Sequence, residues 1–133
     1  MKTLLTVLLC LSLPLIGADK KPLTKEESAK VIEAAIRKVA KKPAGELTKA
    51  DLEKVTVLEL YQNQLTDVKG LEKLTKLEVL DLSDNQLTEV KGLEKLTQLT
   101  GLTLKNNPDL TKAQIDELQK ALPKCKIYSN PTK

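Results

Sequence analysis

Glu59 and Asp81 are the residues most open to a chemical reading, because they stand at matching places in two near-identical segments, Val-Leu-Glu-Leu and Val-Leu-Asp-Leu. Two carboxylates held about one strand spacing apart can act as acid and base. That chemistry needs a further group and an enclosed pocket, and the chain offers neither. Its 133 residues include no His, the usual base near neutral pH and the commonest metal ligand. Ser28, Ser83 and Ser129 have no His or Lys partner in the sequence, and no glycine-rich phosphate loop is present. The run Asp81-Leu-Ser83-Asp-Asn85 opens like a calcium loop, but Gln86 stands where that loop needs Gly and Gly92 where it needs Glu. We therefore expect no catalytic residue, no metal and no cofactor: the chain does not read as an enzyme.

The remaining composition narrows the class. The chain has 22 basic and 18 acidic side chains, no Trp or Phe and two Tyr, so its core must be aliphatic. A net charge of +4 without a basic stripe or interleaved aromatics argues against nucleic acid. Met1-Lys2, an apolar run from Leu4 to Ile16 and the small residues Gly17-Ala18 have the layout of a secretory signal peptide, with cleavage expected after Ala18. The run is shorter than the roughly 20 residues that span a bilayer and contains Pro14, which argues against a membrane anchor. Leu9 before Cys10 is not the small residue of a lipid-attachment site. Cleavage leaves 115 residues, enough for one domain, with a net charge of about +3 and Cys125 as the sole cysteine. A secreted or periplasmic protein without an internal disulfide, and without membrane insertion after cleavage, is expected.

Self-alignment shows what must position the side chains. Residues 55 to 76 match residues 77 to 98 at 15 of 22 positions without a gap. The pattern LxxLxLxxN recurs as Val55-Leu58-Leu60-Asn63, Leu77-Leu80-Leu82-Asn85 and Leu99-Leu102-Leu104-Asn107, and a fourth copy reads Leu122-Cys125-Ile127-Asn130. Leu at alternate positions predicts a short strand with its apolar side inward, and a fixed period stacks the strands in parallel. Leu65, Val68, Leu71 and Leu74, spaced by three, predict a 3₁₀ or single helical turn on the outer side. The four Asn are expected to point inward and satisfy turn backbone, and Cys125 to be a buried, inert core residue.

The ends read as caps. Thr24-Lys-Glu-Glu27 is a capping box opening a helix with Val31, Ile32, Ala35, Ile36 and Val39 on one face, ended by Pro43-Ala-Gly45. Thr48-Lys-Ala-Asp51 opens a shorter helix, and Thr111-Lys-Ala-Gln114 opens one with Ile115, Leu118 and Leu122 on one side, stopped by Pro123. The expected organisation is a signal peptide (1–18), a helical N-terminal cap (19–54), repeats (55–110) and a C-terminal helix-strand cap (111–133), with 19–133 as one folded domain.

From Leu47 to Asn130 the consensus LxxLxLxxNxLTxVxGLxxLTx resembles the leucine-rich repeat proteins, specifically the 22-residue type of internalin-like bacterial surface and secreted proteins. The resemblance implies an α/β fold, a short leucine-rich repeat solenoid whose parallel concave sheet binds proteins. The chain carries three full copies and the cryptic fourth strand. Leu122-Pro123 runs into Lys-Cys-Lys rather than the cell-wall anchor motif of some surface relatives.

The positions between the core Leu residues must face solvent, and they form rows across the sheet. The expected rows are Val57, Val79, Gly101, Lys124; then Glu59, Asp81, Thr103, Lys126; then Tyr61, Ser83, Lys105, Tyr128; then Gln62, Asp84, Asn106, Ser129. Between the two near-duplicate copies, most changes outside the core fall in these rows. The candidate protein-binding residues are therefore Val57, Glu59, Tyr61, Val79, Asp81, Ser83, Thr103, Lys105, Lys126 and Tyr128, and the expected function is a non-enzymatic, exported protein-binding module. The alternative is a small self-associating envelope protein. Four short strands present on the order of 12 to 16 contact residues, fewer than the roughly 20 to 30 of a standard interface, so a small target or a weak contact is expected.

Overall fold

The computed structural model describes residues 21–130. The segment expected as a signal peptide, with Cys10, lies outside them. Thr24 opens helix α1 (Lys25–Ala40) through a reciprocal box, its Oγ1 accepting from Glu27 N at 3.1 Å while Glu27 Oε1 accepts from Thr24 N at 2.9 Å. The helix ends earlier than Pro43: Lys41 turns left-handed (φ 58°), and Lys42 N–H donates to Arg37 C=O. Its buried ridge is Ser28, Ile32, Ile36 and Ala40, one residue every turn, with Val31 and Ala35 half-buried beside it. Val39, expected on this face, is 40 % exposed. Ser28 can sit in the ridge because its hydroxyl accepts from Thr66 N at 3.1 Å, tying the helix to the first repeat.

Helix α2 (Lys49–Glu53) is opened by the Thr48–Asp51 capping box. Asp51 Oδ2 accepts from Thr48 N and from Lys42 Nζ, both at 2.9 Å, so one carboxylate joins the end of α1 to the start of α2. The Thr48 backbone bond, then the Lys42 ammonium, hold this carboxyl far below its ordinary value of 3.8. A depressed folded-state value stabilises the protein fully above the unfolded value and loses that contribution as pH falls below it. Asp51→Asn is expected to lower the urea midpoint at neutral pH, and the gap from wild type should narrow below about pH 4. A gap independent of pH would show that the charge is immaterial.

Four three-residue strands follow: β1 (Val57–Glu59), β2 (Val79–Asp81), β3 (Gly101–Thr103) and β4 (Lys126–Tyr128). They form one parallel sheet in sequence order, and α1 packs against the β1 end. The first two returns run through 3₁₀ turns, Leu71–Lys73 and Leu93–Lys95, and the third through helix α3 (Lys112–Ala121). Leu58, Leu80 and Leu102 point into the core from the strand centres, where they meet Leu65, Leu71, Leu87 and Leu93 from the turns. β1, β2 and β3 each bury only their central Leu, and β4 half-buries Ile127, so no copy is stable alone and stacking supplies the core.

Gly70 and Gly92 precede the 3₁₀ turns with φ of 104°, a conformation that L side chains rarely adopt. A Cβ on Gly92 finds no atom nearer than 3.8 Å, so the obstacle is the backbone and not a clash. Gly92→Ala is expected to destabilise by about 1–2 kcal/mol, read as a lower urea midpoint at unchanged slope. An unchanged midpoint would contradict the strain.

The last copy departs from the expected register. Val57 faces Val79 and Val79 faces Gly101, steps of 22 residues, but Gly101 faces Lys126, a step of 25. Leu102 is therefore beside Ile127 and not Cys125. The cause is α3: Leu122 is spent as its C-cap, donating to Leu118 C=O, and Pro123-Lys124 turns the chain before the strand begins. Cys125 N–H then donates to Leu122 C=O, as Leu99 N–H does to Leu96 C=O, so Cys125 takes the place of Leu99. It is buried, and burial pushes its thiol up, away from the reactive thiolate.

Candidate functional site

The turns after the strands fix the working face. Gln62, Asp84 and Asn106 follow at equal steps and are left-handed (φ 57°, 57° and 60°), so the positions expected as a fourth solvent row are where the chain leaves the sheet. Asn85 holds the turn between two copies from inside. Its Oδ1 accepts from Asn63 N and Leu65 N at 3.0 Å, and its Nδ2 donates to Leu60 C=O at 2.9 Å and Leu82 C=O at 3.0 Å. Asn107 repeats the arrangement, with Oδ1 accepting from Leu87 N and Nδ2 donating to Leu82 and Leu104 C=O. The outer two differ from expectation. Asn63 is half-buried and reaches only Tyr61 C=O, and Asn130, displaced by the longer last step, is exposed and accepts from Asn106 N.

On the strand face the observed rows are Val57, Val79, Gly101, Lys126 and Glu59, Asp81, Thr103, Tyr128. Lys126 therefore aligns with Gly101 rather than Thr103, Tyr128 with Thr103 rather than Lys105, and Lys124 lies before the strand. Tyr61, Ser83 and Lys105 follow the first three strands as a third row. The two Tyr, expected in one row, stand in different ones at opposite ends of the sheet. The register change is two residues, and strand side chains alternate with period two, so Lys126 and Tyr128 keep their exposed side while changing neighbours.

This face carries most of the molecule's exposed apolar bulk. Among the described residues five large hydrophobic side chains are exposed, and four are here: Val57 (47 %), Tyr61 (48 %), Val79 (43 %) and Tyr128 (47 %). Glu59 lies directly beside Asp81. None of the ion pairs among the described residues uses either carboxylate, or Lys105 or Lys126. Asp81 Oδ1 accepts from Ser83 N and Oγ at 3.0 and 2.7 Å, which fixes that carboxylate in place.

A second concavity, of about 760 Å³, lies between α1, α2 and residues 67–73, with Ile32, Ile36, Leu47 and Leu52 along its lining. The sequence carries no signal for it because its walls come from segments far apart in the chain. Among the described residues no group of three or more His, Cys, Asp or Glu is placed to hold a metal. No described helix is long and apolar enough to cross a membrane.

A family model for leucine-rich repeats in two copies matches residues 53–89 and 75–120. Among solved structures, an internalin (InlF) from Listeria monocytogenes is similar over 77 % of this chain, with a TM-score of 0.64 and 25 % identity. Internalin C2 (InlC2) from the same organism is similar over 77 % of this chain, with a TM-score of 0.53 and 19 % identity. The chain spans only 31 % of the first protein and 56 % of the second. No curated protein matches its sequence. The repeat period, the parallel strands with 3₁₀ returns and the matched model agree: the chain belongs to the leucine-rich repeat family, with an internalin-like solenoid.

Proposed function

We propose that this is an exported, non-enzymatic protein-binding module that takes up its partner on the concave strand face. The observation that carries the reading is the gathering of Val57, Tyr61, Val79 and Tyr128 on one small face, exposed and interleaved with unpaired charges. Large apolar side chains grouped on a soluble domain mark contact surfaces, and Tyr is enriched where interfaces draw their energy. Export is supported by the layout of residues 1–18. The face is short, which favours a compact target over a broad one.

The test is capture from the native exported fraction with the immobilised protein, beside a variant carrying Glu59→Lys, Asp81→Lys and Tyr61→Ala. A protein retained by the wild type and lost by the variant supports the reading. Equal retention by both contradicts the concave assignment. Light scattering across the micromolar range addresses the alternative of self-association: a dimer or larger species that the same variant disperses would replace the partner with a second copy of the chain.

A further inference from the structure

β4 stands at an edge of the sheet, and its backbone singles out one residue there. Lys126 N–H donates to Thr100 C=O and Tyr128 C=O accepts from Leu104 N–H, so both residues turn their backbone groups toward β3. Alternation along the strand then turns Ile127 N–H and C=O away from the sheet, and among the described residues neither group has a hydrogen bond. The carbonyl before it on that side, Cys125 C=O, is already met by Gln119 Nε2 at 2.8 Å, and the same amide reaches Leu122 C=O at 3.0 Å. The edge is therefore closed up to Cys125 and open at Ile127, whose side chain is itself only half-buried. Lys126 and Tyr128, on either side of it, are exposed on the concave face.

We propose that a second copy of this chain occupies that edge, its β4 antiparallel to the first about a two-fold axis through Ile127. The two Ile127 residues exchange both backbone bonds, N–H to C=O each way, as a hydrogen-bonded antiparallel pair does. Lys126 of each copy then lies opposite the partner's Tyr128, in a non-hydrogen-bonded pair where Cα atoms approach to about 4.5 Å and side chains meet on one face. An ammonium is attracted to the face of a phenol ring, and the symmetry makes the contact twice. A short edge strand bearing Lys ordinarily keeps other strands away. The axis at Ile127 sets each Lys126 against a ring and not against another ammonium, so the charge that repels other registers selects this one. One strand pair and two side-chain contacts make a small, weak interface. The dimer does not depend on what the strand face binds. It joins two four-stranded sheets into one of eight, so the roughly 12 to 16 contact residues of one copy about double and reach the roughly 20 to 30 of a standard interface.

The test is sedimentation equilibrium of the purified protein from micromolar to millimolar concentration, with backbone hydrogen exchange measured at both ends of the range. A monomer–dimer equilibrium is expected, and the Ile127 amide, open to solvent in the monomer, should exchange more slowly at high concentration. Tyr128→Lys sets ammonium against ammonium across the axis and should weaken dimerisation at least about tenfold, because two contacts are lost together. Adding Lys126→Tyr to that change exchanges the two residues, restores the opposition and should return the dimer to within about threefold of wild type. Both positions are exposed, so urea midpoints should stay near wild type. The Glu59→Lys, Asp81→Lys, Tyr61→Ala variant is altered at the other end of the sheet and should dimerise like wild type, so loss of a partner and loss of the dimer are read separately. A monomer at every concentration would overturn the proposal, and so would a dimer that leaves Ile127 exchange unchanged or that Tyr128→Lys does not weaken. A dimer weakened by Tyr128→Lys and not recovered by the exchange of residues would overturn the two-fold register.

Discussion

Asn85→Ala should cost the protein about 3–5 kcal/mol, a large part of the 5–15 kcal/mol typical of a domain, and should be visible as a collapse of the urea midpoint. The figure follows from which groups lose their last partner. Leu82 C=O keeps Asn107 Nδ2, and Ser83 C=O keeps Gln62 N. Leu65 N, Asn63 N and Leu60 C=O keep none of the side-chain bonds Asn85 gave them. Leu65 and Leu60 are buried, where an unmet donor or acceptor costs about 1–3 kcal/mol, and Asn63 is half-buried and costs less. The same reasoning grades the neighbours. Asn107→Ala strips its bonds from Leu87 N and Leu104 C=O and leaves Leu82 C=O with Asn85, so about 2–4 kcal/mol is expected. Asn63→Ala loses one bond to Tyr61 C=O in a half-buried site, at most about 1 kcal/mol. Equal midpoints for the three variants would show that the turns do not depend on these amides.

Leu80→Ala should cost about 2–5 kcal/mol, because it opens a cavity at the middle of the sheet. Leu80 is fully buried on β2, between Leu58 and Leu102, so no edge can relax into the space. Ile127 takes the same place on β4 but is only half-buried at the end of the sheet. Ile127→Ala should therefore cost less, about 1–2 kcal/mol. A midpoint for Leu80→Ala within error of wild type, or below-wild-type effects larger at Ile127 than at Leu80, would contradict a core centred on the inner copies.

The repeats could be read from the amino acids because a 22-residue period leaves one consistent alignment of Val57, Val79 and Gly101. Where the period breaks, spacing misleads. Leu122-Cys125-Ile127-Asn130 imitates the repeat with an offset of 23, yet the physical demand that decides is the closing of α3, which takes Leu122 out of the pattern and delays the strand. A two-residue slip preserves the side on which a strand residue points, so Lys126 and Tyr128 stay on the exposed side of β4 while their neighbours change. The helical cap shows a related limit. Counting apolar residues selected Val39 and passed over Ser28, but burial follows the four-residue ridge, and Ser28 is admitted by its bond to Thr66. The pairing of Glu59 with Asp81 followed from the period alone. Their freedom from internal ion pairs depends on three-dimensional neighbours that no local pattern records.

Two sets of residues divide the labour: inward Leu and Asn side chains hold the stack, and the strand-face side chains are those proposed to meet a partner. The most direct test of that separation measures stability and affinity together, for a partner recovered by capture, in the Glu59→Lys, Asp81→Lys, Tyr61→Ala variant. A control variant carries Lys73→Glu and Lys95→Glu, exposed on the outer 3₁₀ turns. The strand-face variant is predicted to keep a urea midpoint near wild type while losing at least about a hundredfold in affinity, about 2.7 kcal/mol, and the outer control to keep both. Loss of affinity in the outer control with full affinity in the strand-face variant would contradict the account.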